Sequence, residues 1–357
     1  MKARELVASL YRQNLASFIP FAFRQTHPGV GFLDNWHIEV VADALDKVWR
    51  GEINRLIINL PPRSLKSFCV SVAFVAWIMA KAPNREILHI VGNRDLKKDL
   101  EDACRALLLS PKMRALFPPL RLLKAAKGIV LAQGGSRRSA MTYENLTGKG
   151  ADMIILDDPM DAGKADDPKE IARLAKWVQS TIVQRLNRTE DPVILVMQRL
   201  HDEDLTRHLL ESGDKWTLLN IPAIATRDET WILSDGRVLT RKRREPLHAA
   251  RQSIDDLLEV AQTIGGLNFW AQYQQSPIGK IAAQQRSTVW VPANKNPNKP
   301  CGLYRVDELD RVKVDVFCIG EAWYSVAPHE HQSWEEIEAE AVAEQAKLVA
   351  SMRADFL

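Results

Sequence analysis

Residues 56–67 have the sequence LIINLPPRSLKS, in which an apolar run leads into a short polar loop that contains two prolines. An apolar pattern typical of a helix follows from Phe68 to Ala80. A strand, a loop and a helix in this order form a phosphate-binding loop when the N-terminus of the helix points at the anion. Taken alone, the stretch is equally consistent with a buried strand and helix joined by an ordinary polar turn.

If the loop binds phosphate, each of its last residues has a defined task. Lys66 would neutralise the β- and γ-phosphates, and the Ser67 hydroxyl would ligate Mg²⁺. The pattern G-x-x-x-x-G-K-[ST] has glycine where this chain has Leu60 and Leu65, so the match is incomplete. The residues predicted to contact the nucleotide are Pro62, Arg63, Ser64, Leu65, Lys66 and Ser67.

A second segment, residues 153–159 with the sequence MIILDDP, places two carboxylates directly after an apolar run. The run predicts a buried parallel strand, and open α/β sheets bind their ligands at the carboxyl ends of such strands. Asp157 is suited to hold Mg²⁺ through water. Asp158 is suited to polarise an attacking water, a role that glutamate fills more often. Because both segments occur in the expected order, the sequence favours a nucleoside triphosphatase.

Composition limits the class of protein. The chain has 357 residues, of which 46% are hydrophobic and 26% charged, as is usual for a globular protein. The formal net charge of +3 is small, so any contact with nucleic acid must come from a local basic patch. The longest apolar segment is too short to span a bilayer, and the four cysteines show no metal-binding spacing. We therefore expect a cytoplasmic protein.

Strands alternate with helices over most of the chain, which predicts an α/β fold of the doubly wound type: a mainly parallel sheet with helices on both faces. We expect an N-terminal helical region at residues 1–50 and the sheet-bearing domain at residues 51–278. Residues 215–278 could form a lid or linker subdomain within it. An atypical tail at residues 279–357 would end in a helix at residues 333–352.

The densest basic run lies at residues 241–244, and Arg137 with Arg138 forms a second cluster. A solvated loop and a contact with the phosphate backbone of DNA are equally consistent with such a run. The candidate DNA-binding residues are Arg241, Lys242, Arg243 and Arg244.

The chain resembles the large subunit of tailed-phage terminases, the ATPase that drives DNA into a capsid. Five segments carry the resemblance in the family's order: residues 35–37 (NWH), 59–67 (NLPPRSLKS), 146–159 (LTGKGADMIILDDP), 198–205 (QRLHDEDL) and 268–277 (NFWAQYQQSP). Leu65 departs from the family, which often has glycine before the lysine. The resemblance covers roughly residues 30–278, and five ordered segments are far more specific than any single one.

The resemblance implies an ATP- and Mg²⁺-dependent motor subunit of a phage or prophage that moves double-stranded DNA into a procapsid in the bacterial cytoplasm. It implies a small terminase subunit and a portal protein as partners, and a homo-oligomer when active. Gln198 and Arg199, which end the coupling strand, would pass loss of the γ-phosphate to the DNA-gripping surface. Arg63 is a candidate for charge stabilisation in cis, and Arg199 or Arg185 for the same role on a neighbouring subunit.

The family's second half, usually a nuclease of RNase H-like fold, is not recognisable in this sequence. Such a nuclease needs several carboxylates that converge on two metal ions. We expect Asp307, Asp310 and Asp315 to be surface acids instead, with the nuclease either lost by truncation or frameshift, or carried by another chain. Two other functions stay open: a helicase-like ATPase, and a degenerate prophage remnant that binds nucleotide without motor activity.

Overall fold

The fold is described from a computed structural model of the chain. It describes residues 3–123, 128–146, 148 and 150–277, together with four strands at residues 288–291, 302–305, 315–319 and 322–326. The helix predicted at residues 333–352 and the acids Asp307 and Asp310 lie outside the described residues.

A seven-stranded sheet forms the centre of the protein. Its strands, in chain order, are β1 (Arg55–Asn59), β2 (Glu86–Val91), β3 (Ile129–Val130), β4 (Ser136–Met141), β5 (Met153–Asp157), β6 (Val193–Met197) and β7 (Thr217–Asn220). Their order across the sheet is β3-β4-β2-β5-β6-β1-β7. Every neighbouring pair is parallel except β3 and β4. The prediction of a mainly parallel sheet is therefore confirmed.

Helices cover both faces of this sheet. The α-helices of the described residues are α1 (Ala3–Gln13), α2 (Leu15–Thr26), α3 (Trp36–Trp49), α4 (Val75–Lys81), α5 (Arg94–Leu109), α6 (Pro111–Leu116), α7 (Pro168–Trp177), α8 (Leu205–Leu210), α9 (Ile254–Ile264) and α10 (Gly266–Gln272). Helices α2 to α6 pack on one face, and α7 and α8 pack on the other. The N-terminal helices α2 and α3 share their hydrophobic cluster with β1. The doubly wound arrangement is thus confirmed.

The strands explain how the sequence specifies this arrangement. Strands β1, β5 and β6 are almost continuously apolar and fully buried, as expected for parallel strands with both faces covered. Strand β4, in contrast, has the sequence SRRSAM, and the sequence analysis did not identify it as a strand. Its place in the sheet is set by parallel pairing with β2, in which all six residues of β4 have a partner.

The segment after the phosphate loop differs from the single helix predicted at residues 68–80. Phe68–Phe74 forms a π-helix, and α4 continues from it. All side chains from Phe68 to Met79 are buried. Wide π turns within helices are frequent at functional sites. This one carries Ser71, which contacts a candidate metal ligand.

Beyond β7 the chain builds a smaller core of its own. The strands β8 (Glu229–Ile232) and β9 (Val238–Arg241) pair as an antiparallel hairpin. Helices α9 and α10 enclose a third hydrophobic cluster that includes Ile224 and Phe269. The lid or linker role of residues 215–278 stays a prediction.

Strands β10 (Thr288–Val291) and β11 (Gly302–Arg305) form a separate antiparallel pair, as do β12 (Asp315–Ile319) and β13 (Ala322–Val326). Every helix of the described residues falls short of the length and apolar character that crossing a bilayer requires.

Candidate active site

The carboxyl ends of β1, β5 and β6 bring the two predicted motifs together at one edge of the sheet. The Lys66 Nζ atom lies 2.6 Å from Asp158 Oδ2, and the Ser67 hydroxyl donates to Asp157 Oδ1 over 2.8 Å. The backbone N–H of Gln198, at the end of β6, donates to Asp158 Oδ1 over 3.3 Å. Residues far apart in the sequence thus form one cluster of polar groups.

The backbone of the phosphate loop takes a conformation that glycine usually supplies. Arg63 and Leu65 have φ angles of 58° and 62°, in the left-handed region. Such a conformation costs about 1–2 kcal/mol for each residue that has a side chain. Leu65 stands where the phosphate-loop pattern has glycine, so the structure keeps the backbone conformation of the motif without its usual residue.

This conformation makes the loop a cradle for an anion. The sign of φ alternates along Arg63, Ser64 and Leu65, which aims successive backbone N–H groups into one concavity. Within the described part of the chain, the N–H groups of these three residues donate to no backbone carbonyl. Their free donors, beside the buried Lys66, are suited to a phosphate group.

His37 on α3 anchors the loop from behind. The side-chain amide of Asn35 donates to His37 Nδ1 and also to the carbonyl of Leu247 over 2.7 Å. Since Nδ1 accepts, the imidazole proton is on Nε2, which donates to the Ser64 carbonyl over 3.1 Å. Burial lowers the pKa of His37 to about 4, so the ring stays neutral at physiological pH. The family-like segment at residues 35–37 therefore has a structural task at the loop.

Asp157 is fully buried and held by hydroxyl groups on both oxygens. Ser67 donates to Oδ1, and Ser71 donates to Oδ2 over 2.5 Å. Burial alone would raise the pKa of Asp157, but His89, the Lys66 charge and the Ser71 hydrogen bond outweigh it and lower the pKa. Asp157 is therefore ionised and oriented, as a metal ligand must be.

Asp158 differs from its neighbour in both backbone and protonation. Its φ angle of 41° is left-handed. Burial raises the pKa of Asp158, and the charge of Lys66 offsets this only in part. Burial would lower the pKa of Lys66, but the charges of Asp158 and Asp157 outweigh it and raise the pKa. Adjacent carboxyl groups with opposite pKa shifts are suited to different tasks, here metal binding and proton acceptance.

The donor set at Ser67 and Asp157 fits Mg²⁺. Both offer hard oxygen atoms, and Mg²⁺ is usually bound by one or two carboxylates together with substrate phosphates and water. Within the described residues no group of three or more His, Cys, Asp or Glu side chains could hold a metal. Ser67 and Asp157 supply only part of the octahedral shell of Mg²⁺, which leaves positions for phosphate oxygens and water, so the site suits a metal ion that arrives with a nucleotide.

Two positions were not assigned a role from the sequence. Ser71 follows Ser67 by four residues, so the helical spacing of the two hydroxyls could have indicated it. Gly92 ends β2 at the point where the acidic segment passes closest. A Cβ atom at Gly92 would lie 2.8 Å from the Asp158 carbonyl oxygen, so a side chain there would displace Asp158.

The candidate arginines are placed differently. Arg63 is exposed on the loop. The Arg199 Nε atom donates to both carboxylate oxygens of Asp204, at 2.9 and 2.7 Å, and its Nη2 atom contacts two backbone carbonyls. The Arg185 Nε atom donates to the carbonyl of Thr181. Arg199 thus holds its own loop here, and roles in coupling or on a neighbouring subunit stay proposals that require it to leave Asp204.

The prediction of a DNA contact is wrong for Arg241. This residue is 2% exposed, and its guanidinium donates to the carbonyls of Pro222, Ala223 and Glu245 and pairs with Glu229. It also lies over the Trp36 ring. Arg241 ends β9 with its side chain directed into the protein, so it cannot reach a phosphate backbone.

The rest of the run is closer to the surface. Lys242 is exposed and pairs with Asp228 at 2.8 Å, and the Arg243 side chain is also exposed. Arg244 is half-buried, and its backbone N–H donates to Ala225.

In the second predicted cluster, a DNA contact is wrong for Arg137 and stays a prediction for Arg138. Arg137 is fully buried, and the half-buried Arg138 donates to the Gly150 carbonyl. Both residues belong to β4, whose partner strand holds them in the sheet.

Comparison with known proteins finds distant similarity to solved structures. No family model and no curated protein matches the chain. The structure is similar to the large terminase of the HK97 bacteriophage, with 12% identity, a TM-score of 0.46 and 78% of this chain covered. It spans 60% of that terminase's length. It is also similar to a mutant of the large terminase ATPase domain of Thermus phage P74-26, with 13% identity, a TM-score of 0.44, and 66% of this chain and 93% of that one covered.

Proposed function

We propose that this chain binds ATP with Mg²⁺ and hydrolyses it by in-line attack of water. The observation that carries the proposal is the convergence of Lys66, Ser67, Asp157 and Asp158 at the carboxyl edge of a parallel sheet. It is supported by the left-handed loop backbone, which offers N–H donors to an anion. A polar turn that only joined a strand to a helix would require neither this convergence of side chains nor the left-handed loop backbone.

Each residue of the site has a task in this reaction. The loop N–H groups bind the β-phosphate, and Lys66 exchanges Asp158 for the β- and γ-phosphates when the nucleotide arrives. Ser67 and Asp157 would hold Mg²⁺, which neutralises charge on the phosphates. The ion pair between Lys66 and Asp158 keeps the ammonium in place until then.

Asp158 is the residue that we assign to the attacking water. Burial raises its pKa, which makes the carboxylate a better proton acceptor, and the Gln198 N–H holds one of its oxygens. Once Lys66 turns to the phosphates, the other oxygen is available to orient water. The carboxylate of aspartate is one methylene shorter than that of glutamate, and the left-handed backbone at this residue would set its reach.

A narrow cleft lies beside the loop, with His37, Pro62, His248 and Arg251 in its wall and no carboxylate among its lining residues. It encloses only about 20 Å³, which is enough for about one water molecule. A nucleoside base could pack against its imidazole and proline rings only if the cleft widens when the nucleotide binds.

We further propose that hydrolysis drives double-stranded DNA translocation, as the terminase-like order of the five sequence segments suggests. On this proposal the chain acts as a homo-oligomer in the bacterial cytoplasm, with a small terminase subunit and a portal protein as partners. Gln198 is suited to coupling, because its backbone contacts Asp158 while its strand β6 pairs with β1. Lys242, Arg243 and Arg244 remain the candidates for contact with DNA.

The test is phosphate release by the purified chain with MgATP, with and without duplex DNA, beside a strand-displacement assay. Release that duplex DNA stimulates, without separation of strands, is the expected result. Strand separation would favour the helicase-like ATPase. Nucleotide binding without any phosphate release would favour the prophage remnant and overturn the motor.

A further inference from the structure

A buried pair of polar side chains lies beneath the candidate metal ligand. His89 on β2 and Arg137 on β4 are both fully buried. The Arg137 Nη2 atom lies 3.0 Å from His89 Nδ1, and the His89 Nε2 atom lies 3.9 Å from Asp157 Oδ2. Because β4, β2 and β5 are neighbours in the sheet, the three side chains form a row that ends at Asp157.

The contacts of this row determine where the imidazole proton sits. A guanidinium group only donates hydrogen bonds, so His89 Nδ1 is the acceptor. A ring nitrogen that accepts a hydrogen bond carries no proton, so the imidazole is neutral. The one ring proton is therefore on Nε2, the atom that faces Asp157.

That donor has no other partner. Among the described residues the His89 Nε2 atom is buried and makes no hydrogen bond, and the same holds for Arg137 Nε. Buried donors are paired in most proteins, so an unpaired one that faces a carboxylate calls for an explanation. The distance to Asp157 Oδ2 exceeds a normal hydrogen bond by about 1 Å, so a small shift of the carboxylate would close it.

We propose that His89 and Arg137 are positioning residues for Asp157. Arg137 fixes the tautomer of His89, and the His89 Nε2–H supports Asp157 Oδ2 from the sheet while Ser67 and Ser71 support the carboxylate from the helix. Asp157 is thereby kept in the orientation that Mg²⁺ binding requires. This inference rests on the proposed function, since it concerns the same metal site.

Two substitutions of His89 separate positioning from packing. Gln places an amide near the position of Nε2, facing Asp157, whereas Asn places its amide near Nδ1, facing Arg137. The probe is a non-hydrolysable ATP analogue, titrated with MgCl₂ and, separately, in EDTA. We expect His89→Asn to weaken the apparent Mg²⁺ affinity about 10-fold and His89→Gln to keep it within about 3-fold. Binding of the analogue in EDTA should be the same for both variants and the wild type.

Ser139→Ala is the matched control. Ser139 pairs with His89 across β2 and β4. Among the described residues its hydroxyl is also buried without a hydrogen-bond partner, so it donates no hydrogen bond to His89, Arg137 or Asp157. Its Mg²⁺ affinity should equal that of the wild type. A loss as large as that of His89→Asn would mean that any change beneath the site disturbs it, which overturns the proposal.

Arg137 gives a second matched pair. Arg137→Lys keeps a cationic donor for His89 Nδ1 and should retain Mg²⁺ affinity. Arg137→Met frees Nδ1 to take the proton, which would turn an unprotonated Nε2 toward Asp157 and weaken Mg²⁺ binding. Melting in EDTA checks the fold of each variant, and this pair decides the question if His89→Asn does not fold.

The outcomes separate this inference from the function on which it rests. Equal Mg²⁺ affinity for the Asn and Gln variants, or unchanged affinity for Arg137→Met, overturns the positioning role alone. A wild-type chain that binds the analogue no better with Mg²⁺ than in EDTA overturns the metal site itself, and the positioning role with it.

Discussion

The phosphate loop at residues 59–67 and the basic run at residues 241–244 are both short charged segments that the sequence marks as functional. In the loop the charge lies beside the predicted acidic segment, because Lys66 pairs with Asp158 at the end of a distant strand. In the run the first arginine turns inward and serves the fold. A cation in the loop after a buried parallel strand can be placed from the sequence, because the strand fixes the edge of the sheet at which the loop lies. The density of charge in a segment does not by itself predict that its side chains are exposed.

The burial of the Arg241 side chain follows from its position in strand β9. Along β9 the side chains alternate between exposed and covered, and Arg241 falls on the covered side. A strand has a period of two residues, so a residue next to a turn can still point inward. The basic run is therefore divided between two elements: Arg241 ends strand β9, and residues 242–244 lie in the turn that follows.

The largest effect should come from Lys66→Ala. Loss of the ammonium removes the charge that faces the phosphates, so we expect phosphate release at saturating MgATP to fall by at least about 100-fold. Lys112→Ala, at an exposed position on α6, is the control and should keep full activity.

Asp158→Asn sharpens the same comparison. It should bind MgATP as the wild type does and lose turnover, because the amide cannot accept the proton of water. A folded Lys66→Ala protein with normal phosphate release would remove the phosphate-loop assignment.

Next in size is the stability effect of Arg241→Met. The substitution leaves Glu229 and three backbone carbonyls without their donor, so the free energy of unfolding should fall by about 3 kcal/mol. Urea denaturation measures it. Lys242→Met should leave the midpoint unchanged, because its ion pair is exposed. A stable Arg241→Met protein with weakened DNA affinity would restore the original prediction for this residue.

A smaller effect is expected from replacing Lys242 and Arg243 together by alanine. Contacts with phosphates release counterions, so the affinity for duplex DNA should fall alike for all sequences, and its salt slope should decrease by up to about 2. Basal phosphate release should not change. The charge-matched control replaces Lys112 and Arg114, which are exposed on α6. Equal DNA affinity in wild type and variant would make the turn an ordinary solvated loop.

The smallest effect should come from Leu65→Gly. Glycine relieves the left-handed strain, but it loses the packing of Leu65 on the core and makes the unfolded chain more flexible. We expect a net change within about 1 kcal/mol in urea denaturation. Leu60→Gly, at the other glycine position of the motif, should cost about 3 kcal/mol or more because Leu60 is fully buried. Similar losses at the two positions would show that the strain at Leu65 is unimportant.

The sequence predicts the parts of this structure that depend on local pattern. The apolar strands β1, β5 and β6 and the polar residues at their ends were identified because parallel strands are buried on both faces. Strand β4 was missed because its residues are polar, and only its pairing with β2 explains why Arg137 is buried. The contacts of His37 with Ser64 and of His89 with Arg137 join separate elements, so no local pattern could indicate them.

The position of β1 between β6 and β7 also sets the order in which the protein can be completed during its synthesis. Both neighbours of β1 are translated about 140 residues or more after it, which at about 5–20 residues per second takes several seconds to half a minute. During that interval the apolar strand β1 has been synthesised but has neither neighbouring strand to pair with, so the loop at residues 60–67 that follows it is not yet held in place. The edge of the sheet that carries Lys66 and Asp158 is therefore among the last parts of the sheet to form. The unpaired apolar strand is the kind of segment that chaperones protect from aggregation during synthesis.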